Sequence, residues 1–246
     1  MAVVGPKALK QLVTRLARTD VGKNVVHWAV LDDTVSRRFE RVHEWPTAVR
    51  GFEDLAFLFS SNQLNHGIAS LQFDEAALLY RIARDAGGTT LAEIGRFKGG
   101  STLITAVAMH PDAELWSYDL HVPVHPDMRG DQLDRELGEA LQRYGLDKRV
   151  HLVVGDSRVV EPPPGPLASL FVDGDHTYDG ARADYERWHE FLAPGGHLLF
   201  HDAVRSGGYG FHFPGIVRLV AEIERSDADF VRLANVGSIA HFVRRQ

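Results

Sequence analysis

Five residues in two separated stretches carry side chains that can do chemistry together. Asp173, Asp175 and His176 follow the apolar run Leu170-Phe171-Val172, and His201 and Asp202 follow Leu198-Leu199-Phe200. Carboxylates and imidazoles are the donors that hold a divalent cation, and a histidine can remove a proton near neutral pH. An apolar run flanked by glycine and proline that breaks abruptly into such groups reads as a buried strand with chemistry at its carboxyl end. If the two runs are neighbours in a parallel sheet, about 4.8 Å apart, one cation can bridge Asp173, Asp202 and His201. Plainer roles stay open beside this one. Asp173 can cap a helix, and either histidine can be a hydrogen-bonded neighbour of the site. Asp175 can replace Asp173 or hold His176.

The elements that must position these groups alternate. Strands are expected at 90–95, 114–119, 149–154, 168–173 and 196–201, with helices near 100–109, 131–144 and 180–192. Strand and helix in turn is the pattern of a parallel sheet covered by helices on both faces. Asp74 suits the N-cap of a helix over 75–86, with Ala77, Leu78, Ile82 and Ala83 on one face, and Gly87-Gly88 ends it. One more helix is expected over 214–225, then a hairpin of 229–234 and 239–244 turned at Asn235–Ser238. Before residue 74 the pattern is weaker. Leu9, Leu12, Val13, Leu16 and Ala17 fit a helix, 25–31 a strand, and 48–59 a helix that packs on the sheet, covers the site or makes a dimer contact.

Composition sets the bounds. With 246 residues, one α/β domain with an N-terminal extension suffices, burying roughly 70% of its unfolded surface. No cysteine is present, which removes disulfides, thiolate sites and thiol nucleophiles and leaves oxygen and nitrogen for a hard cation such as magnesium or manganese. The net charge of −6, with no clustered basic face, argues against a nucleic-acid partner. No apolar run reaches the roughly 18 residues of a membrane span, and the N-terminus lacks a signal pattern. The expected location is therefore cytoplasmic, with no membrane partner.

A second set of signals lies at earlier strand ends. Gly95-Arg96-Phe97-Lys98-Gly99-Gly100-Ser101-Thr102 opens an apolar helix, and such a turn offers backbone N–H groups to a carboxylate or phosphate. It lacks the Gly-x-Gly-x-x-Gly spacing of dinucleotide sites. Asp119 ends the next strand where an acid can take two ribose hydroxyls, and Asp156 ends the third where it can accept from an adenine amine. Each has a plainer reading as a turn or helix cap. Three such signals at successive strand ends favour a bound nucleoside.

Together these residues resemble class I S-adenosylmethionine-dependent methyltransferases, over residues 74–246. Glu93-Ile94-Gly95 through Gly99-Gly100-Ser101-Thr102 is similar to that family's methionine-binding loop, Asp119 to its ribose acid and Asp156 to its adenine contact. Val172–Tyr178, Leu192–Gly196 and His201-Asp202 resemble the metal-dependent branch that methylates sugars, whose narrowest likeness is to mycobacterial mannoside O-methyltransferases. The resemblance implies a Rossmann-like, seven-stranded, mostly parallel sheet with an antiparallel C-terminal strand; residues 1–73, outside it, are expected to form a helical extension that caps the site or makes a contact in a homodimer. It implies S-adenosylmethionine contacts from Glu93, Gly95, Phe97, Gly99, Ser101, Asp119, Leu120, Asp156, Ser157 and Asp173. It further implies Mg2+ or Mn2+ on Asp173, Asp202 and His201, the last where relatives often carry an acid, with His176 as base and Asp175 beside it. Catechol-type relatives place an asparagine where Ala203 stands, which moves the third ligand to His201.

The acceptor is expected between two loops at the same sheet edge, with contacts from His121 and His125 in one and Tyr209, Phe211 and His212 in the other. The resulting expectation is methyl transfer to a hydroxyl of a sugar or oligosaccharide, with a catechol or other phenol as the alternative acceptor. A nicotinamide oxidoreductase and a non-catalytic interaction domain are the alternatives of other classes. The oxidoreductase leaves His201 and Asp202 unexplained.

Overall fold

The computed structural model describes residues 45–59, 68–122, 129–204 and 212–246. Seven strands form one sheet in the order β3-β2-β1-β4-β5-β7-β6. These are β1 (Thr90–Ile94), β2 (Glu114–Asp119), β3 (Val150–Val154), β4 (Leu167–Val172), β5 (Leu192–Phe200), β6 (Phe230–Arg232) and β7 (Ala240–Arg244). The first five run parallel, and β7 pairs antiparallel with both β5 and β6. The helices are α1 (Phe73–Asp85), α2 (Gly100–Ala108), α3 (Gly130–Arg143), α4 (Tyr178–Trp188) and α5 (Pro214–Ser226).

Strand alternation divides the core. Leu91, Phe171 and Leu199 point to the face covered by α1, α2 and α3, while Ala92, Ile94, Leu170, Val172, Leu198 and Phe200 meet α4 and α5. That period of two, buried on both faces, is why the central strands read as continuous apolar runs.

Register is what builds the site. Tyr118, Ile94, Val172 and Phe200 stand level across β2, β1, β4 and β5. The residues that follow them, Asp119, Gly95, Asp173 and His201, therefore leave the sheet side by side. Ladder bonds continue into them: Gly95 N–H donates to Tyr118 O at 2.8 Å, Asp173 N–H to Ile94 O at 2.8 Å and His201 N–H to Val172 O at 3.0 Å. Between β1 and β4 the strand order reverses, the place where open α/β sheets bind ligands.

Several expected boundaries shift for identifiable reasons. The segment expected as a helix over 48–59 is a 3-10 helix, Phe52–Leu58, that buries Leu55 and Leu58, whose i, i+3 spacing suits three residues per turn. Helix α1 starts at Phe73 with Gln72 as its cap, because the Glu75 carboxylate takes the Gln72 N–H at 2.7 Å; Asp74 sits within the first turn instead. Its buried face is Ala76, Leu78, Leu79, Ile82 and Ala83, with Ala77 half-buried. Helix α4 is capped by Thr177, whose Oγ1 accepts from Gly180 N–H, and ends at Trp188, where a 3-10 turn leads into β5. The expected helix over 9–17 and strand over 25–31 lie outside the described residues.

Candidate active site

Asp173, His201 and Asp202 converge beyond the ends of β4 and β5, with one donor atom from each within 4.8 Å of the others. His201 Nδ1 lies 3.0 Å from Asp173 Oδ1 and 3.7 Å from Asp202 Oδ2. His176, from the loop between β4 and α4, brings Nε2 to 3.2 Å from Asp173 Oδ1 and 3.7 Å from Asp202 Oδ2. Phe213 stacks on His176, centroids 4.3 Å apart and planes 17° apart, and donates its N–H to Asp202 O at 2.9 Å. Since Thr177 caps α4, Asp173 is free of the capping role.

A further carboxylate enters from α1. Glu75, 1% exposed, accepts from Ser238 N–H at 2.6 Å and Ser238 Oγ at 2.8 Å through Oε1. Its Oε2 stands 3.2 Å from His201 Nε2. Gly237 has φ +55, and a Cβ there would fall 2.4 Å from Glu75 Oε1, so the turn must be glycine to let the carboxylate in.

The charges shift one another. Burial alone would depress the His201 pKa, but the charge and hydrogen bond of Asp173, with Glu75 and Asp202, hold it well above the ordinary histidine value. His176 is also raised: burial opposes, and the hydrogen bond and charge of Asp173 prevail, with Asp202 adding to them. Asp173 is pulled well down, because the charges and hydrogen bonds of both histidines outweigh its burial. Asp202 is pushed up by burial and, against the pull of His201, by the neighbouring Asp173 charge. Three carboxylates and two imidazoles thus sit as one charge-coupled group. Its oxygen and nitrogen donors suit a hard divalent cation.

The glycine loop abuts this group. Gly95, at φ +87, packs so closely that a Cβ would lie 2.2 Å from Asp173 O. Asp119 holds the loop, its Oδ2 accepting from Arg96 N–H at 2.9 Å and Phe97 N–H at 3.0 Å. Its Oδ1 accepts from His121 N–H at 2.6 Å. Glu93 lies beneath, buried, and takes the hydroxyls of Ser101, Thr102 and Ser117, so Glu93 and Ser101 shape the loop from below. Burial pushes the Glu93 carboxyl up. Gly99, at φ +80, packs on Leu137. Leu120 and Val154, 53% and 57% exposed, give apolar surface beside Asp119, with Val154 paired directly to Asp119.

Other expected residues are engaged elsewhere. Asp156 pairs with Arg158, which lowers its pKa to about 2. Ser157 donates its hydroxyl to Asp184 at 2.5 Å. Asp175 accepts from Thr177 N–H at 2.8 Å, in the turn entering α4. His121, at φ +58, turns to Asp134 at 2.9 Å and Arg96 at 3.1 Å rather than standing free for an acceptor. His212 is half-buried beside Phe213; His125, Tyr209 and Phe211 lie outside the described residues.

Glu75, Ser238, Phe213 and the pair Arg96–Asp134 also belong to this group of contacts and are not among the site residues expected from sequence. A carboxylate at the start of the apolar row Glu75, Leu78, Leu79, Ile82 was a usable signal for the first. Nothing local marked the others.

Residues 92–203 match the family described as "Methyltransferase domain". Among solved structures, the chain resembles the O-methyltransferase TomG from Streptomyces achromogenes, crystallised with SAM, at 19% identity over 72% of this chain and 82% of that one, TM-score 0.55. It also resembles a methyltransferase from Geobacter sulfurreducens at 21% identity, over 79% and 86%, TM-score 0.52. A third match, the cofactor-bound protein Rv0187 from MTB, spans 100% of both chains at 18% identity, TM-score 0.52. The chain thus carries a stretch that matches a methyltransferase domain, on a fold it shares with these methyltransferase structures.

Proposed function

We propose that the protein transfers the methyl group of S-adenosylmethionine to a hydroxyl of a sugar or glycoside, with Mg2+ or Mn2+ on Asp173, His201 and Asp202 and with His176 as general base. The observation that carries this reading is the meeting of those four side chains at one sheet edge, against the Gly95 loop. The cation, when bound, offsets the aspartate charges and favours oxyanion character on the acceptor.

The chain's own residues do the rest. Asp119, with Leu120 and Val154 beside it, offers an acid and apolar walls to a nucleoside. The loop it ties down adjoins Asp173, so a bound methyl donor borders the acidic group and little motion separates the reactants. His176, stacked on Phe213 and beside the aspartates, is the imidazole placed to take the hydroxyl proton. Phe213, 38% exposed, borders the base with a flat apolar surface that suits a sugar ring. The acceptor class rests on the resemblance of Val172–Tyr178 and His201-Asp202 to sugar-methylating enzymes.

Transfer of tritiated methyl from S-adenosylmethionine to panels of glycosides and catechols tests this reading. Expected are transfer to a glycoside, loss with chelator and recovery with Mg2+. His176→Ala should lower turnover about 10²–10⁴-fold while binding S-adenosylhomocysteine as wild type does. Transfer indifferent to chelator, or a His176→Ala variant of full activity, contradicts it.

A further inference from the structure

We infer that Glu75 is a positioning residue that fixes the ring of His201, holding a proton on Nε2 so that the Nδ1 lone pair faces the cation site. The inference rests on the cation reading above and adds a residue to it.

Glu75 reaches His201 from 126 positions away in the chain, and the two side chains are 1% and 8% exposed. An ionised carboxylate only accepts hydrogen bonds, whereas each imidazole nitrogen donates or accepts according to tautomer. Glu75 is fully committed as an acceptor. Oε1 takes Ser238 N–H and Oγ–H, and Oε2 takes Gln72 N–H and faces His201 Nε2 at 3.2 Å. A contact between Oε2 and Nε2 is favourable only if Nε2 carries the hydrogen. Nδ1 faces Asp173 at 3.0 Å and Asp202 at 3.7 Å, so a cation held by those aspartates would replace the proton on Nδ1, while Glu75 keeps the one on Nε2. Carboxylates that orient a ligating histidine in this way typically change metal affinity 10–100-fold when removed.

The anchoring makes Glu75 more than a chance neighbour. It is held by α1 through Gln72, by the turn before β7 through Ser238, and by the close approach of Gly237. Burying a carboxylate costs stability unless its charge is matched, and His201 is the imidazole that matches it.

Glu75→Gln is the discriminating change. With the amide oxygen kept toward Ser238, the amide NH2 faces His201 and demands a lone pair on Nε2, which sends the ring proton to Nδ1 and blocks ligation. Titration of Mn2+ into the full-length protein should give a dissociation constant 10–100-fold weaker for Glu75→Gln, with S-adenosylhomocysteine affinity within twofold of wild type. Long-range ¹H–¹⁵N spectra of Mg2+-loaded wild type should show His201 protonated on Nε2, a readout that needs no variant to fold. Equal Mn2+ affinity in wild type and Glu75→Gln, or a proton on Nδ1 in the Mg2+-loaded protein, overturns the role of Glu75 alone. A wild type that binds no Mn2+ overturns the cation reading, and the positioning role with it.

Discussion

His176 and Asp184 show how burial acts differently on neighbouring groups of one site. His176 has two aspartates within 3.7 Å, which raise its pKa despite burial. Asp184, 3% exposed beneath the Asp173–Asp175 loop, has no such compensation: burial first, then Asp175 and Asp156, raise it to about 6 although Ser157 donates to it. A carboxyl whose folded pKa lies above its unfolded value binds its proton more tightly when folded. Its favourable share of stability is present below about pH 4 and lost as pH rises through about 6. Asp184→Asn, which keeps an oxygen for Ser157, should therefore be more stable than wild type at pH 8 by at most about 3 kcal/mol, and the gain should vanish near pH 4. Urea unfolding at both pH values checks it; a gain independent of pH assigns the effect to something other than ionisation.

At the level of elements, strand ends and the loops leaving them are the units of design. Phe97, His121 and Asp202 are the non-glycine residues with positive φ among those described, and all three sit just past strand ends at this edge. Backbone held in sparsely populated conformations persists where surrounding bonds enforce it. Around Phe97 and His121 the enforcing bonds come from Asp119 and from Arg96. Arg96, whose side chain is 1% exposed, donates to the carbonyls of Ser117 and Val153 and pairs with Asp134 through two bonds of 2.7 and 2.5 Å. Asp134→Ala strands that buried guanidinium and should cost about 3–5 kcal/mol, with weaker binding of S-adenosylhomocysteine because the loop loses its support. Urea unfolding and calorimetric titration measure the two effects, and unchanged values in both would show that the ion pair does not hold the loop. These strand ends were legible in sequence because β1, β4 and β5 are apolar runs that stop abruptly at Gly95, Asp173 and His201. What His121 and Ser157 bond to was not legible, since α3 and α4 supply their partners Asp134 and Asp184 through packing rather than through local pattern. The helix expected over 48–59 illustrates the same limit: burial of Leu55 and Leu58 selects a tighter helix than apolar content suggests.

At the scale of the molecule, the sheet brings distant stretches to one edge and the flanking layers complete the site. β4 and β5 deliver Asp173, His201 and Asp202, so the sequence revealed that group through chemistry next to strands. Glu75 and Ser238 lie 163 residues apart, on α1 and on the turn before β7, and only the closed fold makes them neighbours. The reversal of strand order between β1 and β4 places the glycine loop against Asp173, so the proposed methyl donor would border the acidic group. Crystals of the full chain grown with S-adenosylhomocysteine and Mn2+, measured at the manganese absorption edge, test that arrangement directly. One anomalous peak is expected, bounded by Asp173, His201 and Asp202, with His176 beside it and the cofactor sulfur facing the same space. Manganese bound elsewhere, or a cofactor whose sulfur points away from these residues, would contradict it.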